Sequence, residues 1–106
     1  MSLSDIYDVV RNVRMRYFDD IVQYILQGYS EHDCVEINEE VCKELKKRGY
    51  KCKLVRLYRV KHYIVEIYLG DKALYADACP ELSGLFNAVL PGGFVGDEKD
   101  VENFYR

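Results

Sequence analysis

Proline and glycine are scarce in this 106-residue sequence, at two and seven positions, and no repeat or low-complexity tract appears. That excludes collagen-like and compositionally disordered chains. No run approaches the roughly 18 apolar residues of a membrane span, so no membrane association is expected. The first residues carry Asp5 and Asp8 where a secretory leader needs a basic patch before an apolar run. Export by that route is not expected. There is no Walker loop, dinucleotide fingerprint or metalloprotease helix, so neither a cofactor nor a metal is expected. Cys34, Cys42, Cys52 and Cys79 are spaced by 8, 10 and 27 residues, without the short steps of a structural zinc site. Free thiols in a reducing cytoplasm are the simplest account, although an even count leaves disulfides open.

What remains is globular: 49% hydrophobic and 31% charged residues. The length suits one compact domain, residues 1–106, with a modest core of about two layers. The net charge of −3 is unevenly spread. Residues 1–42 hold nine acids and three bases, and residues 73–106 hold six acids and two bases. Between them, residues 43–61 carry nine bases against Glu44 alone. Such a band suits an acidic protein partner, or is simply a solvated helix end and strand face. No aromatic–basic motif accompanies it, so nucleic acid is not expected.

Apolar residues recur at three and four from Ile6 to Ile25, which predicts helix over 4–27, in one piece or two, stopped by Gly28. A second helix opens at Asp33, with Glu36 three residues on as a capping box. Ile37, Val41 and Leu45 form its stripe, Cys34 lies on that stripe, Cys42 borders it, and Gly49 ends it. Residues 50–60 read as a strand with imperfect alternation at Leu54 and Val55, hence a bulge or burial on both faces. His62–Leu69 alternates clearly, turns at 70–72 and returns as Ala73–Ala78, an antiparallel hairpin. A short helix over 81–90, a loop at 91–93 and an acidic tail with Phe104 and Tyr105 docking complete the reading. The fold class is α+β, with N-terminal helices packed on a small antiparallel sheet.

Three residues stand where chemistry is favoured. Cys34 opens a helix, where the dipole and unpaired amides favour a thiolate. Its own N–H can donate to an oxyanion. His62 starts a strand and can serve as base and then acid. Asp77 ends the next strand and can hold the imidazole tautomer. Symmetric pairing puts residue 62 opposite about residue 79, making Asp77 a diagonal neighbour, or a direct one if a bulge shifts the register. Each residue alone also has an ordinary structural reading. His32, two residues before Cys34, reads as exposed linker; Cys42 and Cys79 read as packing residues or as traps for Cys34.

Residues 34–80 resemble the transglutaminase-like branch of the papain-like cysteine hydrolases. The likeness rests on Asp33-Cys34-Val35-Glu36, Lys47-Arg48-Gly49-Tyr50, Lys51-Cys52-Lys53-Leu54-Val55, His62-Tyr63-Ile64-Val65-Glu66-Ile67 and Leu74-Tyr75-Ala76-Asp77-Ala78. It implies a transglutaminase-like (papain-like) core, with 34–80 as the catalytic-type helix and sheet. It further implies acyl transfer by Cys34, His62 and Asp77, either hydrolysis of an amide or isopeptide bond or transamidation. The implied substrate is a peptide or protein. Related enzymes often place a glutamine, tryptophan or tyrosine as oxyanion donor, and Gln27 and Tyr29 are the candidates here. The alternative is a catalytically inactive protein-interaction or regulatory module on the same scaffold, docking through the 43–61 band or the Leu90–Val95 region.

Overall fold

A computed structural model describes residues 2–84 and 92–105. Helices α1 (Leu3–Arg16), α2 (Phe18–Gln27) and α3 (Cys34–Lys47) come first. Strands β1 (Lys51–Leu57), β2 (His62–Leu69) and β3 (Lys72–Asp77) follow, then a 3-10 turn (Pro80–Ser83). Strand β4 (Phe94–Gly96) and helix α4 (Glu98–Phe104) close the described chain. The result is an α+β fold whose four strands form one antiparallel sheet in the order β1-β2-β3-β4.

The long N-terminal periodicity resolves into two helices, broken at Tyr17. Ser2 caps α1, with Asp5 completing a capping box. α3 starts where its sequence predicts. The Asp33 carboxylate accepts from Glu36 N–H at 2.9 Å, and Glu36 accepts from Asp33 N–H at 3.3 Å. Gly49, at φ +93°, ends it by letting Tyr50 N–H reach back to the Leu45 carbonyl at 3.0 Å.

Strand β1 contains no bulge: its pairing with β2 runs unbroken from Lys51↔Tyr68 to Leu57↔His62. Its irregular apolar pattern comes from burial on both faces. Cys52 and Leu54 pack with α1, α3, Val65 and Ile67, whereas Val55 and Leu57 join Ile64, Phe94, Phe104 and Tyr105. The sheet is therefore a middle layer, with α1 and α3 on one side and α4 on the other. The β2–β3 hairpin pairs Leu69↔Lys72 through Val65↔Ala76, a register that carries His62 to the level of Cys79.

The expected helix over 81–90 is described only as far as Gly84, where a 3-10 turn stands; its remainder, and residues 90–91 of the Leu90–Val95 region, lie outside the described residues. Phe94–Gly96 is a strand, paired with β3 from Tyr75↔Gly96 to Asp77↔Phe94. Gly93, at φ +82°, precedes it. A Cβ there would lie 2.8 Å from both the Asp77 carbonyl oxygen and Val10 Cγ1, so this close return to β3 requires glycine. Among the described residues, no helix is long and apolar enough to cross a membrane.

Candidate active site

The end of the sheet at His62 and Asp77 is where both helical layers converge. His62 Nε2 lies 2.6 Å from Asp77 Oδ2, and both side chains are fully buried. The geometry is the diagonal relation the hairpin register dictates.

A carboxylate so deeply buried needs every lone-pair direction met. Asp77 achieves this from four parts of the chain. Oδ1 accepts from Asn38 Nδ2 at 3.0 Å and from Cys79 N–H at 2.9 Å. Oδ2 accepts from His62 and from the Tyr105 hydroxyl. Burial opposes ionisation of Asp77, but the His62 charge and the hydrogen bonds from His62, Asn38 and Tyr105 outweigh it and hold the carboxyl below its ordinary pKa. Burial likewise disfavours an imidazolium at His62. The charge and hydrogen bond of Asp77, aided by Cys34, overcome that and push His62 up to about 10.

The second ring nitrogen, Nδ1, is buried without a well-formed hydrogen bond among the described residues. Cys34 is the neighbour that acts on the same ring, through hydrogen bonding and charge. Sulfur and imidazole are thus neighbours that share no well-formed hydrogen bond. Cys34 is half-buried and begins α3, and its backbone N–H has no intrahelical acceptor.

Asn38 is the residue the sequence reading missed. It sits one turn beyond Cys34 and is fully buried. Besides Asp77, its amide donates to the Tyr63 carbonyl at 2.9 Å and accepts from Ala78 N–H at 3.0 Å. The signal was present: a polar residue adjoins Ile37 on an otherwise apolar stripe. Arg14 was missed as well. It makes a buried two-pronged pair with Glu81, at 2.8 and 2.6 Å, and donates to the Ala78 carbonyl at 3.1 Å. Ala78 thus has one backbone group held by α3 and the other by α1, which fixes the strand end carrying Asp77.

The approach to Cys34 is anchored by Asp20. Its carboxylate accepts from His32 N–H at 2.8 Å and pairs with the His32 ring at 3.1 Å. His32 is therefore a clamped residue rather than free linker, and the Asp20 hydrogen bond leads the effects that raise its pKa. Gln27 and Tyr29 are both exposed, Tyr29 at 60%. Cys79 is wholly buried, and burial followed by the Asp77 and Cys34 charges pushes its thiol well above the ordinary value. Cys42 faces Cys52, not Cys34. No group of three or more metal-ligating side chains occurs among the described residues.

All nine basic residues of the 43–61 band are exposed, on the outer side of α3, on β1 and on the β1–β2 turn. Among the described residues three surface hollows stand out, and one of them is lined by Tyr105, the hydroxyl donor to Asp77. One of about 460 Å³ runs between Leu57, Tyr58 and Arg59 and the α4 residues Val101, Glu102 and Asn103, with Tyr105 at its base. The other two border the β2–β3 turn and the outer face of α1. Comparison with family models, curated proteins and solved structures finds no match to this chain.

Proposed function

We propose that the protein is a thiol-dependent acyl transferase of the transglutaminase-like type, acting through Cys34, His62 and Asp77. The observation that carries this reading is the His62 ring, bound to a saturated carboxylate through one nitrogen, with the other nitrogen unbonded and a helix-opening cysteine acting on the ring. A protonated His62 sets a cation and a proton donor beside the attacking sulfur.

In the scheme, the Cys34 sulfur attacks the carbonyl carbon of an amide or isopeptide bond. The developing oxyanion meets the Cys34 N–H at the helix start. A side-chain donor from Gln27 or Tyr29 would add to this backbone group. Collapse of the adduct breaks the C–N bond as His62 Nδ1 gives its proton to the leaving amine. Water then adds to the thioester and loses a proton to His62, and the sulfur departs. That sequence is hydrolysis; an amine in place of water gives transamidation. Asp77 keeps its negative charge throughout and fixes the ring through Nε2.

Iodoacetamide labelling of the folded protein tests this, with Cys34 alkylation expected to be fastest near neutral pH. Exposure alone also favours Cys34, so the deciding comparison is His62→Gln, with folding checked by circular dichroism. An at least tenfold slower Cys34 reaction supports the imidazolium's role, and an unchanged rate overturns it.

The exposed basic band favours a second reading, an interaction module that binds an acidic protein segment. Such binding survives Cys34→Ala. Loss of a biological effect in Cys34→Ala, with fold and binding intact, rules it out as the sole function.

A further inference from the structure

Cys34 and Cys79 belong to the candidate triad and its surroundings, but the other two cysteines do not. Cys42 lies on the buried face of α3, two turns beyond Cys34, and Cys52 is the second residue of β1. Each is only 7% exposed. Their sulfurs are 2.8 Å apart, and the Cys52 thiol donates to the Cys42 carbonyl at 3.3 Å. Non-bonded heavy atoms ordinarily rest at about 3.5–4.0 Å, so packing alone does not call for such an approach. Both backbones are held in regular structure, α3 by its helical ladder and Cys52 by its pairing with Ile67. The side chains therefore meet across the helix–sheet interface without rearrangement of either element.

We propose that Cys42 and Cys52 are a disulfide-forming site, oxidised by a hydroperoxide. Burial, with the Cys42 contact, pushes the Cys52 thiol up to about 12. One of the two sulfurs attacks the peroxide oxygen and breaks the O–O bond, giving a sulfenic acid and, from hydrogen peroxide, water. The other sulfur then attacks the sulfenic sulfur and displaces a second water as the S–S bond forms. Two thiols are oxidised by two electrons and one peroxide is reduced. Burial makes the reaction slow and dependent on local opening. The product closes a loop ten residues apart in sequence and pins the second half of α3 to the edge strand.

The test uses the folded full chain and hydrogen peroxide. Remaining thiols are capped with N-ethylmaleimide after denaturation, and the linkages are mapped by mass spectrometry. The expected product is a linked Cys42–Cys52 peptide pair, with Cys79 recovered as the capped thiol. Its formation should raise Tm by on the order of 10 °C, reversibly with dithiothreitol. Cys42→Ala and Cys52→Ala should each lose the gain. Cys42 and Cys52 both recovered as capped thiols after Cys34 is fully oxidised, or Cys42 linked to Cys34 instead, overturns the proposal. The mapping of the unaltered chain decides the matter even where a variant fails to fold.

Discussion

The two halves of α3 bury the same stripe for different purposes. In the first half, Cys34 and Asn38 meet the His62–Asp77 end of the sheet, and the interface is polar and hydrogen-bonded. In the second half, Val41, Cys42 and Leu45 meet β1 and α1, and the interface is apolar. Helical periodicity alone makes the halves equivalent. They differ in what a lost side chain leaves behind: a smaller apolar contact in one case, stranded buried donors and acceptors in the other.

The sharpest way to break the comparison is at its polar centre. Asp77→Ala leaves an unpaired buried His62 and removes the acceptor for Asn38, Cys79 and Tyr105. The expected loss is about 3–5 kcal/mol by urea denaturation. Asn38→Ala strips partners from Tyr63, Asp77 and Ala78 together, for roughly 2–4 kcal/mol, whereas Cys42→Ala on the apolar half costs about 1–2 kcal/mol. Equal losses at the two positions would erase the proposed difference between the halves.

A third expectation concerns pH. The folded-state pKa of His62 lies above its unfolded value, so its contribution to stability is complete below about 6.5 and is lost as pH rises toward about 10. Asp77, with its pKa lowered on folding, contributes above the ordinary carboxylate value and loses that contribution as pH falls. Urea midpoints should therefore decline from pH 7 to 9.5, and the decline should flatten in Asp77→Asn. The smallest effect is expected for Tyr105→Phe, which removes one of the four donors to Asp77 and keeps the ring contacts with His62 and Phe94. Its cost should be about 0.5–1 kcal/mol in the same assay.

Much of the scaffold was legible because local chemistry agreed with global packing. The Asp33–Glu36 box, the Gly49 stop and the β2 alternation each point to the element that forms. The turn narrowed His62 and Asp77 to a diagonal or a direct pairing, and the unbulged β2–β3 register settles it as diagonal. Other features depended on tertiary partners. Strand β1 gave an ambiguous pattern because α4 covers a face that a two-layer fold leaves open. Strand β4 has three residues, too few for a period to emerge. Arg14 looks like an outward-facing helix cation until Glu81 is brought against it. Asn38 carried a signal, a polar side chain on an apolar stripe, but its partners lie 25 to 40 residues away.

The four donors around Asp77 have a consequence for biosynthesis. They come from positions 38, 62, 79 and 105, so a chain emerging from the ribosome presents them one after another. Until Tyr105 clears the exit tunnel, the carboxylate lacks its last donor, even with the helices and hairpin already outside. The order of translation thus leaves this charge incomplete after the helices and hairpin around it have emerged, and losing residue 105 would preserve most of the framework while leaving its innermost anion incompletely solvated.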